Sequence, residues 1–95
     1  MYKILISTRT QKEIEKAIDY YVLNSAIAHS KFIESLSKAY HEISINPYRR
    51  LRYKNIRAIQ LDHFPFALYF IVHKTLKTVK ILSCFHNKRN PEKRP

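Results

Sequence analysis

His86 follows an apolar run and stands three residues before Arg89, while Lys54 and Arg57 close a basic stretch three residues apart. A histidine moves protons near neutral pH, and neighbouring cations stabilise the charge that builds on a phosphorane. Lys54, Arg57, His86 and Arg89 are therefore residue types that can hold a phosphate and, at His86, move a proton. Each also has a simpler use. His86 can cap a strand by bonding a neighbouring carbonyl, and Arg89 can bond the chain's own C-terminal turn. Arg49, Arg50, Arg52, Lys54 and Arg57 fall within nine residues that contain no acid. No carboxylate is interspersed to neutralise them, so the stretch is expected to meet a target rather than only solvent. Tyr48 and Tyr53 lie among these cations. They can stack on exposed bases or pack on the body of the protein, and both uses stay open.

Other chemistries are poorly served. His29, His41, His63, His73 and His86 show no i, i+4 pairing and have only Cys84 as a nearby thiol, so no metal is expected. Cys84 sits in an apolar run and reads as a buried small hydrophobe. The chain has no glycine, which excludes a phosphate-cradling loop. Asp62 and Glu92 are the only acids after Glu42, so no carboxylate pair forms there, and no cofactor is expected.

The 95 residues are enough for one hydrophobic core, and 45% hydrophobic and 13% aromatic content excludes a disordered chain. One domain spanning residues 1–95 is expected. The net charge of +11 is uneven: residues 1–42 carry six Lys/Arg against five Asp/Glu, and residues 43–95 carry twelve against two. An acidic or polyanionic partner should meet the second half. The longest apolar run, residues 64–72, is about half a membrane span and contains Pro65, so no membrane association is expected. A single cysteine and the lack of a secretory leader point to the cytoplasm.

The elements that must position these residues follow from periodicity. Tyr2, Ile4 and Ile6 alternate in a first strand within residues 1–7. A helical hairpin over residues 9–45 comes next. Thr8 or Thr10 is its expected N-cap, with Thr10 and Glu13 in capping-box spacing. Ile14, Ala17, Ile18 and Tyr21 form the first apolar stripe, and Asn24-Ser25 ends the helix. Phe32, Leu36, Ala39 and Ile43 form the second stripe, which Asn46-Pro47 stops. After the basic loop, residues 56–61, 66–72 and 79–85 read as a three-strand meander, and residues 86–95 as a basic tail. The order β-α-α-β-β-β defines an α+β layer with the hairpin on one face of a mainly antiparallel sheet. Arg57, Tyr69 and Lys80 are expected on the opposite, open face, with Ile56 and Ala58 turned toward the core.

At these residues the chain resembles the RelE/ParE superfamily, the toxins of bacterial type II toxin–antitoxin pairs. The resemblance runs through Glu13-Ile14, Ala17-Ile18-Asp19-Tyr20-Tyr21, Asn46-Pro47, Tyr53-Lys54-Asn55-Ile56-Arg57, the segment from Phe64-Pro65 to Tyr69-Phe70, and His86-Asn87-Lys88-Arg89-Asn90-Pro91. It looks closest to the ParE, or plasmid-stabilisation, branch. That resemblance implies a growth-inhibiting toxin that binds DNA gyrase, needs no catalytic residue and is neutralised by a cognate antitoxin. Its contact surface would comprise Arg49, Arg50, Arg52, Lys54, Arg57, Tyr69, His86 and Arg89. The alternative is a RelE-like endoribonuclease that cuts mRNA on the ribosome with Lys54, Arg57, His86 and Arg89. No tyrosine follows Tyr69, where the nuclease branch usually has one near the C-terminus.

Overall fold

The computed structural model describes residues 1–48 and 51–88, the segment 51–53 by its backbone alone. The order is β1 (Lys3–Ile6), α1 (Thr8–Asn24), α2 (Ala26–Ile45), β2 (Leu51–Tyr53), β3 (Ile56–Gln60), β4 (Phe66–His73) and β5 (Thr78–His86). The strands form one sheet in the order β1-β5-β4-β3-β2. β1 runs parallel to β5, and the remaining pairs are antiparallel. The mainly antiparallel α+β layer is as expected. An additional strand, β2, occupies part of the segment read as a basic loop: Leu51 pairs with Arg57 and Tyr53 with Ile56. Three residues are too few to show a period of two, so only the pairing defines this strand.

Ser25 joins the helices alone. Its N–H donates to Tyr21 O at 2.9 Å, closing α1, while its Oγ accepts from the N–H groups of Ile27 and Ala28, opening α2. One residue thus satisfies orphan groups of both helices, and the hairpin must fold back sharply. α2 ends as Asn46 accepts the N–H of Tyr48 on its side chain and Pro47 is buried.

The start of α1 differs from expectation. The N-cap is Ser7, whose Oγ accepts the N–H of Thr10 at 3.1 Å. Thr10 faces inward and donates its own hydroxyl to Ile81 O at 3.1 Å. Ser7 also donates its N–H to Ile81 O and its Oγ–H to Leu82 O. Leu82 is the extra residue where the β4–β5 register shifts between Tyr69 and Phe70. The cap and the bulge are therefore held by the same serine, which a local spacing rule cannot reveal.

The core lies between the hairpin and the sheet. Phe32, Leu36, Ala39 and Ile43 of α2 and Ala17 of α1 pack against Ile59, Leu68, Phe70, Val79, Ile81 and Cys84. Phe32 is the hub of an aromatic group, with Tyr21, Phe64 and Phe66 rings at 5.2, 5.3 and 5.7 Å. Without glycine, the turns use Lys54, His63 and Lys77 at φ of 52°, 66° and 50°. Left-handed backbone at such residues costs on the order of 1 kcal/mol each, which the paired strands must offset.

Candidate functional site

β3 decides where Arg57 points. Residues paired across a sheet share a face, and Ile59 pairs with Leu68 of the core while Ala58 pairs with Tyr69. Arg57 pairs with Phe70, another core residue, and so lies on the helix side of the sheet. Ile56 and Ala58 lie on the other side, in a second apolar cluster with Ala67, Tyr69 and Phe85. The expected assignment of faces is thus reversed for β3. In its sequence, Ile56 and Ala58 alternate in one phase and Ile59 and Leu61 in the other, and pairing with β4 selects the second phase for the core. Tyr69 does lie away from the helices, but only 7% of it is exposed and its ring packs edge-on against Phe85 at 6.3 Å. A target cannot reach most of it.

Arg57 belongs to a cluster at the lower end of α2. Its guanidinium carbon stands 5.3 Å from the centre of the Tyr48 ring, within cation–π range. Tyr48 in turn meets Tyr2 edge-on at 6.1 Å, and the two hydroxyls are 2.8 Å apart. The hydrogen bond to Tyr48 raises the Tyr2 phenol above its ordinary pKa, with burial adding to it. Lys54, exposed in the β2–β3 turn, stands at the same end of the sheet. Sequence reading had Tyr48 stacking on bases or packing on the body; it packs, although 45% of it remains exposed. In the sequence Tyr2 reads only as a strand residue, because its partner lies 46 residues away and no local spacing signals the contact.

His86 occupies the other end. It ends β5, pairs with Phe66 across the ladder and stacks edge-on against that ring at 5.1 Å. Its Nδ1 accepts the N–H of Lys88 at 3.1 Å, so the neutral ring must carry its proton on Nε2. The ring caps the turn after β5, accepting an amide rather than donating to a carbonyl. Next to it, Asn87 donates its N–H to Pro65 O and its side-chain amide to Gln60 Oε1, while Gln60 Nε2 holds the carbonyls of Phe64 and Phe66. His86-Asn87 thus fastens the end of β5 to the β3–β4 turn.

A cleft of about 660 Å³ opens beside His86, lined by Glu13, Lys16, Tyr20, Tyr21, Phe66 and Cys84. Glu13 reaches across it: Oε1 accepts from Ser83 Oγ at 2.8 Å and from Cys84 N–H at 3.2 Å, and Oε2 pairs with Arg9 at 3.4 Å. Glu13 stands in capping-box spacing with Thr10, but its contact with β5 spans 71 residues and no local spacing signals it. Burial, with the Glu13 charge adding to it, pushes the Cys84 thiol up to about 12, so it is no nucleophile at neutral pH.

Of the nuclease set, the three described residues, Lys54, Arg57 and His86, are not brought together. Arg57 registers with Phe70 and His86 with Phe66, on opposite sides of β4. Four residues along a strand and two strand spacings put their Cα atoms roughly 16 Å apart, with the β4 aromatics between them. Lys54 stands with Arg57, not with His86. Arg49, Arg50 and Arg89 lie outside the described residues, as does the side chain of Arg52. Among the described residues no group of three or more His, Cys, Asp or Glu could hold a metal, and no helix is long and apolar enough to cross a membrane.

The structure is thus a two-helix hairpin on a five-strand sheet, with basic and aromatic side chains at both ends of the central strands. Four solved chains match it. One belongs to the chromosomal ParDE system of P. aeruginosa, with a TM-score of 0.63, 17% identity, and 90% of this chain and 96% of that one covered. Another is the isolated RelE toxin of E. coli, with a TM-score of 0.69, 20% identity, and 97% and 90% covered. No curated protein sequence matches significantly. The family model for the ParE toxin of type II toxin–antitoxin systems matches residues 4–91, and the chain belongs to that family.

Proposed function

We propose that this ParE-family toxin arrests growth in the cytoplasm by binding DNA gyrase, without catalysis, and is held inactive by a cognate antitoxin. Family membership supports the antitoxin. The observation that carries the non-catalytic reading is the separation of His86 from Arg57 and Lys54 along β4. A proton-transfer group must lie within hydrogen-bond reach of the same phosphate that the cations hold. Here His86 instead caps a turn with its Nδ1. Arg57, its charge over Tyr48, and Lys54 in the adjacent turn form the described part of the contact surface, and Arg49, Arg50, Arg52 and Arg89 are proposed to extend it.

The test compares two variants under induced expression. Arg57→Gln is expected to weaken gyrase binding and relieve toxicity, whereas His86→Gln keeps a hydrogen-bonding side chain and is expected to leave toxicity largely intact. Inhibited supercoiling should precede any loss of protein synthesis. Prompt mRNA cleavage with unaltered supercoiling, and a loss of about 10²–10⁴-fold in cleavage rate for His86→Gln, would instead establish the endoribonuclease reading.

A further inference from the structure

The β4–β5 turn, residues 74–77, lies beside the start of β1. Lys77 donates its N–H to Lys74 O at 3.2 Å, closing the turn, and its own carbonyl accepts the N–H of Lys3 at 3.0 Å. Val79 and Ile81 pack in the core beneath the helices, so Thr78 and Lys80 face the other side of the sheet. Paired residues share a face, which sets Lys3 and His73, both partners of Thr78, on that side with Lys80. Two strand spacings put the Cα atoms of Lys3 and His73 roughly 10 Å apart, and Lys80 lies roughly 8 Å from Lys3. Lys3, His73, Lys74, Lys77 and Lys80 are all exposed.

No acid answers this charge. The strands contain no carboxylate, and neither do the β2–β3 and β4–β5 turns. Among the described residues Asp62 lies in the β3–β4 turn at the opposite end, and the remaining acids lie on the helices, across the sheet. Lys77 also holds a left-handed backbone, φ 50°, where glycine or asparagine would cost less, so a cation stands there at an energetic penalty. The patch offers little to a protein. Lysine is depleted at protein interfaces, while Leu5 and Leu76, exposed nearby, stand on opposite sides of the Lys3–Thr78 row and form no apolar anchor. It offers little to a single nucleic-acid strand either, whose bases stack on exposed rings, because Tyr69 and Phe85 on this face are buried.

We propose that this end of the open face holds the phosphate backbone of a nucleic-acid duplex. Lys3, Lys74, Lys77 and Lys80 contact phosphates as point charges and read no base, so binding is independent of sequence and falls with salt. None of them belongs to the surface proposed for gyrase, and the site stands whichever target the toxin has.

The probes are short labelled DNA and RNA duplexes and the matching single strands, titrated with the intact protein by anisotropy at rising salt. Duplex should bind more tightly than single strand, the tighter of the two duplexes naming the source of the phosphates. Log affinity should fall with log salt at a slope of about −3 to −4. Lys74→Gln combined with Lys77→Asn should weaken duplex binding by about tenfold or more and lower that slope by about two, with the urea midpoint held. Asparagine accepts the left-handed backbone at position 77. Arginine at both positions, Lys74→Arg with Lys77→Arg, should bind as the wild type does. Lys12→Gln with Lys31→Gln, two exposed lysines on the helices, should change the affinity little. Tighter binding to single strands, or polyglutamate binding more tightly than either duplex, would overturn the proposal. So would an equal loss in the arginine pair, or an equal loss in the helix pair, which would spread the binding over the whole basic chain.

Discussion

Glu13 completes the hydrogen bonding of Cys84: where β1 ends and β5 continues, the Glu13 carboxylate takes the Cys84 N–H that a neighbouring strand's carbonyl would otherwise take. A side chain of α1 thus stands in for a missing strand, tying the helix to the sheet beyond the reach of β1. The same oxygen accepts from Ser83, whose side chain is fully buried.

Glu13→Ala should therefore destabilise the protein by about 1–3 kcal/mol, because it leaves a buried hydroxyl and an amide without an acceptor. Glu13→Gln keeps an acceptor oxygen and should cost less. Urea denaturation of the two variants checks this, and equal losses would show that the charge alone matters.

Ser7→Ala should cost about 1–2 kcal/mol, since it removes the cap of α1 together with the bond to the bulged Leu82 carbonyl. Thr8→Ala, at an exposed first helical residue, should stay within about 0.5 kcal/mol. Thermal melts that rank Thr8 above Ser7 would contradict the cap seen here.

Leu36 lies in the α2 stripe that packs on the sheet, while Lys31 is exposed. Leu36→Ala should lose roughly 2–5 kcal/mol through lost burial and a cavity. Lys31→Ala should change stability by no more than about 0.5 kcal/mol. Denaturant midpoints that coincide would place the register of α2 in error.

Alkali should destabilise the fold through two buried acids. The Cys84 thiol ordinarily titrates near 9.0 and is raised to about 12 in the folded state, and burial raises the Tyr40 phenol above 10.0 as well. Between those values the folded state keeps a proton that the unfolded chain has lost. Stability is therefore full below pH 9 and falls as the pH climbs toward 12. Cys84→Ala should flatten that decline, and Tyr40→Phe should flatten it further. An unchanged slope in both variants would assign alkaline loss to other groups.

The Ser7 cap of α1 and the single-residue link at Ser25 were not legible in the sequence, whereas both helices and their apolar stripes were, because stop signals and the 3.6-residue period are properties of contiguous residues. The same holds for β4 and β5, whose long apolar runs leave little choice of element. The existence of β2 was not legible, since three residues carry no period and become a strand only by pairing with β3. Nor was the face of Arg57. Ile56-Arg57-Ala58-Ile59 offers two apolar phases, and only register with Leu68 and Phe70 sets one against the helices, turning Arg57 toward Tyr48. The sequence by itself determined a basic α+β chain with its charge concentrated in the second half. Tertiary structure alone decided that Arg57 and His86 stand at opposite ends of β4. The physical reason is that strand pairing joins residues far apart in the chain, and a shift of one residue would exchange every face.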